Sequence, residues 1–88
     1  MRSYYFTFGY GAGHPFNGGW IIVKSQNIEI AQRIYQLYFP DKSDSNELNC
    51  SMIYTENEFK RTQMYKNGNY GKRCHGIIEF KQFKQKAV

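Results

Sequence analysis

Residues 4–8, Tyr-Tyr-Phe-Thr-Phe, are aromatic or β-branched at every position, with Tyr4, Phe6 and Phe8 on one side of an extended segment and Tyr5 and Thr7 on the other. Trp20-Ile21-Ile22-Val23-Lys24 is apolar at four successive positions, the pattern of a strand buried on both faces. Between them, residues 9–19 hold five glycines and Pro15, which support neither a helical nor a strand period. Two strands joined by a long, glycine-rich hairpin loop are therefore predicted. Further on, Ile30, Ala31, Ile34, Leu37 and Tyr38 recur at helical spacing after Asn27, a good N-cap, and before Pro40, a stop. This predicts a helix over 28–39 with Glu29 in its first turn and Gln32, Arg33 and Gln36 facing water.

Polar residues 41–49 form a loop, and Cys50 to Tyr54 reads as a third strand. Thr55-Glu56-Asn57-Glu58 matches a capping box, in which hydroxyl and carboxylate each accept the other residue's backbone N–H, so a short helix over 56–64 begins there. Its clear apolar positions are Phe59 and Met64. The turn 66–71 leads to a last strand over 75–83, where Ile78 and Phe80 alternate with Glu79 and Lys81, and residues 82–88 are expected to fray. The expected fold is one α+β domain spanning 1–88. Its elements run β-β-α-β-α-β, with an antiparallel or mixed sheet and the helices on one face.

A chain of 88 residues has no room for separate catalytic and cofactor domains. At 18% aromatic, it fills a thin core with large rings rather than remaining disordered. Charge is divided along the chain. Residues 1–59 hold four basic and six acidic side chains, whereas residues 60–88 hold eight basic ones against Glu79 alone. A positive potential on the C-terminal third favours phosphates or a carboxylate-rich protein surface. Cys50 and Cys74 lack the spacing of a redox pair or a zinc site and read as thiols. With no secretory leader and no apolar run long enough to span a bilayer, a cytoplasmic protein without membrane contact is expected.

The glycine loop follows a strand but leads into another strand, so it does not open a helix onto a phosphate as nucleotide-binding loops do. Its reading is a hairpin tip that binds a partner through Tyr10, His14 and Phe16, with Trp20 at its base. Basic residues interleaved with rings, Lys60, Arg61, Lys66, Tyr70, Lys72 and Arg73, supply the electrostatic part of that contact. Cys74 and His75 are neighbours in or beside a strand and point to opposite faces. A zinc site made from His14, His75, Cys50 and Cys74 is therefore awkward, and neither metal nor cofactor is expected. No motif assembles a nucleophile, a base and an oxyanion hole, so the chain is read as non-catalytic, with His14 acting in a nuclease-like reaction as the competing possibility.

Tyr5-Phe6-Thr7-Phe8-Gly9, Gly13-His14-Pro15, Gly19-Trp20, Leu48-Asn49-Cys50-Ser51, Tyr54-Thr55-Glu56 and Gly68-Asn69-Tyr70-Gly71 together resemble a set of small proteins of bacterial phages and mobile elements. The resemblance covers roughly residues 4–78. It implies an accessory protein that inhibits a host defence or nucleic-acid-handling complex, as anti-CRISPR proteins do against an effector such as Cas9. The alternative is direct capture of RNA, DNA or a nucleotide, either as a nucleic-acid binder or as an oligomeric sponge for a cyclic nucleotide signal.

Overall fold

The computed structural model describes residues 1–9, 15–16, 18–40, 48–66 and 74–79, together with the backbone of 82–85. The elements are β1 (Arg2–Thr7), β2 (Trp20–Ser25), α1 (Ile28–Tyr38), β3 (Met52–Thr55), α2 (Glu56–Phe59), α3 (Gln63–Lys66), β4 (Cys74–Glu79) and β5 (Gln82–Gln85). An α+β domain with a mixed sheet is what the pattern predicts. The sheet order is β3-β1-β2-β4, with β5 added antiparallel beyond β4. One long final strand was expected, followed by a frayed tail from Gln82. Instead the chain turns back after Glu79, and the backbone of Gln82–Gln85 pairs with Gly76–Glu79.

β1 pairs antiparallel with both neighbours, which sets Phe6 opposite Ile21 and Ile53, and Tyr5 opposite Ile22 and Tyr54. Directly opposed residues share a face, so this register sorts the sheet into two apolar surfaces. On the first, α1 covers Tyr4, Phe6, Phe8, Ile21, Val23 and Ile78. Phe6 stacks on Tyr35 there, with ring centroids 4.5 Å and planes 10° apart. On the second, Tyr5 stacks on Phe59 of α2 at 4.2 Å and 8°, and Trp20 and Cys74 pack around the same phenylalanine. The helices thus lie on both faces rather than one. Tyr5, Ile22, Tyr54 and Ile77 give the second face too much apolar area to be left to water.

α1 begins as predicted: the Asn27 side chain accepts from the Ile30 N–H at 2.9 Å. It ends where Phe39 leaves the helical region, as the residue before a proline is pushed to do. Its buried stripe is Ala31, Ile34 and Tyr35, whereas Leu37 is 71% exposed. The expected stripe is therefore rotated, because Tyr35 buries its ring and satisfies its hydroxyl by donating to the Asn49 carbonyl at 2.5 Å.

The capping box forms at α2, with Thr55 N–H donating to Glu58 Oε1 at 2.9 Å and Glu58 N–H to Thr55 Oγ1 at 3.2 Å. The single helix expected over 56–64 is broken at Thr62. Its hydroxyl donates to the Phe59 carbonyl at 2.7 Å and accepts from Tyr65 N–H at 3.3 Å, closing α2 and capping α3 with one side chain. Among the described residues no helix is long and apolar enough to cross a membrane. Cys50 lies beside the α1 cluster and Cys74 on the opposite face, and no disulfide joins them.

Candidate functional site

β2 and β4 are parallel, and Trp20 pairs with Cys74 where both begin. β1 finishes and β3 starts at this same end, since Thr7 lies opposite both Trp20 and Met52. One end of the sheet therefore receives the glycine loop before β2 and the start of β4, which Lys72 and Arg73 precede in the sequence. α3 lies here too, since Met64 and Tyr65 pack on the Trp20, Phe59 and Cys74 cluster.

The predicted contact residues divide at this end. Phe16 is half-buried, between Phe8 at 5.5 Å, Phe39 at 6.0 Å and the imidazole of His75 at 4.2 Å. Trp20 is 2% exposed and tilted against Phe59 at 4.8 Å, so it holds the base of the loop from the core and offers no surface to a partner. Lys60 and Arg61 are exposed in the turn that follows α2, and Lys66 is exposed at the end of α3. Tyr10, His14, Tyr70, Lys72 and Arg73 lie outside the described residues.

His75 is absent from the contact residues expected from the sequence, where it reads only as an awkward metal ligand or a residue with a structural or surface role. The pairing of β2 with β4 shifts register after Trp20, so that Ile21 pairs with Gly76 and His75 is the extra residue of a bulge. The bulge turns the ring toward the Phe8 side of the sheet while Cys74 stays with Trp20 on the other. The ring lies parallel to Phe16, with planes 5° apart, and its Nε2 donates to the Gly18 carbonyl at 2.8 Å. A carbonyl oxygen only accepts, so the imidazole hydrogen sits on Nε2. Gly76 inside a strand was the legible signal, since an interior glycine often marks a bulge.

The neck of the loop is closed by Phe8 N–H to the Gly19 carbonyl at 3.0 Å and Gly18 N–H to the Gly9 carbonyl at 3.2 Å. Gly18 and Gly19 adopt left-handed φ of 67° and 75°, a conformation that side chains with a Cβ resist. On the other side of the sheet, hydrogen bonding from Thr55 holds the Glu58 carboxyl below its ordinary range, with Arg61 adding to the effect. Burial pushes the Tyr5 hydroxyl up, assisted by the nearby Glu56 charge. Glu79, the single acidic residue of the C-terminal third, is 3.2 Å from Lys24 Nζ on β2.

Cavities among the described residues lie elsewhere. One, of about 520 Å³, sits between Arg2, Tyr4 and Glu56 at the opposite end of β1. Another, of about 410 Å³, runs between Ile28 and Gln32 of α1 and Met52 and Ile53 of β3. Neither is lined by a predicted contact residue. Among the described residues no three His, Cys, Asp or Glu side chains converge on a common point. The Cys74 thiol donates to the Gly76 carbonyl at 3.6 Å and, across the sheet from His75, has no geometry for a nucleophile–base pair. The chain matches no protein-family model, no curated protein and no solved structure.

Proposed function

We propose that this chain is a non-catalytic binding protein of a phage or mobile element. It occupies the surface of a host nucleic-acid-handling complex, in its concrete form an RNA-guided effector nuclease. The observation that carries the reading is the run of basic residues over 60–73, of which those on and before α3 are exposed. Lys60, Arg61 and Lys66 are exposed, Glu58 lies close enough to Arg61 to feel its charge, and Glu79 lies 3.2 Å from Lys24. Such a surface meets an acidic protein face or bound RNA, with the glycine loop supplying aromatic contact beside it. The phage-like motifs at residues 5–9 and 13–15 supply the biological setting.

The test is a cleavage assay with a purified effector from the host, with and without the protein. Wild-type protein slows cleavage, and the triple variant Lys60→Glu, Arg61→Glu, Lys66→Glu loses the inhibition by about tenfold or more. Binding that survives rising salt identifies a packed protein interface. Binding that disappears steeply with salt and extends to naked RNA identifies direct nucleic-acid capture instead. Repeated conversion of a nucleotide or strand by the pure protein would overturn the non-catalytic reading.

A further inference from the structure

We propose that His75 is a latch that fixes the glycine loop against β4 and so sets the shape of the loop end of the molecule. The imidazole makes two different contacts with the loop across 57 positions of sequence: the Nε2–H bond to the Gly18 carbonyl and the parallel stack on Phe16. A residue present only to fill space beside Phe8 and Phe16 has no need of a polar ring, and a polar ring there is tolerated because its hydrogen bond is made. The bulge is what brings it there, since an unshifted register would alternate side chains strictly and leave His75 on the far face.

The loop neck is therefore tied twice. Main-chain hydrogen bonds join it to the end of β1, and the imidazole joins it to the start of β4. His75 acts through Gly18 and Phe16 as a positioning residue, holding these two loop residues against β4 before any partner arrives. Preorganisation of this kind raises affinity by removing an ordering cost. That functional consequence rests on the loop being a contact element, as proposed above; the latch itself is a property of the isolated protein and is tested on it.

The test is residue-resolved amide exchange on three chains: wild type, His75→Phe and His75→Gln. Phe keeps a stackable ring and removes the donor, whereas Gln keeps an N–H donor at similar reach and removes the ring. In His75→Phe the Gly18 and Phe8 amides exchange about five- to tenfold faster, while amides of α1 are unchanged. His75→Gln brings these two amides back to within about twofold of wild type. Unchanged exchange in His75→Phe would overturn the latch, and so would equal acceleration throughout α1 and β1. A His75→Gln chain as loose as His75→Phe would overturn the role given to the N–H donor. Failure of the cleavage assay leaves these exchange rates untouched, so the two ideas fail separately.

Discussion

On one side of the sheet a single helix of 11 residues seals Phe6, Phe8, Ile21, Val23 and Ile78 to 2% exposure or less. On the other, two helices of four residues each gather around Phe59 and leave Tyr5, Ile22, Tyr54 and Ile77 half-buried. The first face has a continuous amphipathic helix with a capped start and two rings stacked at its centre. The second has helices too short to be stable without the sheet beneath them. Stability is concentrated under α1, and Lys60, Arg61 and Lys66 are carried by the thinner cover. A contact surface placed on the thin side is altered with less risk to the fold than one placed over α1.

Ile21 and Ile22 test this most directly, because they are neighbours of identical type on opposite faces of β2. Ile21→Ala is expected to cost about 3 kcal/mol, in the range for a sealed aliphatic residue. Ile22→Ala is expected to cost about half as much, in proportion to the smaller area it buries. Urea denaturation of the two variants measures the difference. Equal losses would mean that α2 and α3 seal their face as well as α1 does.

The loop neck comes next. Gly19→Ala forces a Cβ into a left-handed backbone and is expected to cost about 1 to 2 kcal/mol. The loss shows as a lowered urea midpoint with an unchanged slope. A neutral result would mean that the neck relaxes and is not held by both β1 and β4.

Much of this arrangement was legible and part was not, for physical reasons. Local signals stood: Asn27 and Pro40 bracket α1, Thr55 and Glu58 start α2, and the glycine-rich stretch separates β1 from β2. What failed depended on partners distant in sequence. The expectation of helices on one face failed because Ile22 and Tyr54 flank Tyr5 and make a second apolar surface. Tyr35 displaces Leu37 from the core because its hydroxyl finds the Asn49 carbonyl, 14 residues away. Thr62 breaks a helix through a side-chain bond that no periodicity reports. The candidate site suffered most. Its convergence comes from parallel pairing of β2 with β4, and the role of His75 from a one-residue bulge in that pairing. Trp20, proposed as an anchor at the loop base, is instead in the core.

The two faces also differ at high pH. Burial, with a smaller contribution from Cys50, pushes the Tyr35 hydroxyl far above its ordinary 10.0, and burial beside Glu56 raises Tyr5 as well. With folded values above unfolded ones, both contributions are complete below pH 10.0 and are lost as pH rises beyond it. Tyr35→Phe removes the hydroxyl bond at a cost of about 1 kcal/mol near neutral pH and flattens the decline in stability above pH 10. Tyr5→Phe flattens it less, because its hydroxyl is the less buried of the two. A larger flattening from Tyr5 would reverse the ranking of the faces.

The smallest effect belongs to the capping box on the thin side. Thr55→Ala removes the hydroxyl that receives the Glu58 N–H and is expected to cost about 0.5 kcal/mol, the low end for an exposed cap. The acid side carries the finer test. Because Glu58 is held below its ordinary 4.5, its contribution is present above that value and is lost as pH falls through the lower folded one. Glu58→Gln should therefore lower the urea midpoint at pH 6 and leave it close to wild type at pH 3. Exchange of the Phe59 and Lys60 amides should follow the same pattern, while α1 amides report no change. If the α1 amides move with pH as much as those of α2, the two faces unfold as one unit, and the separation of a stable side from an alterable one fails.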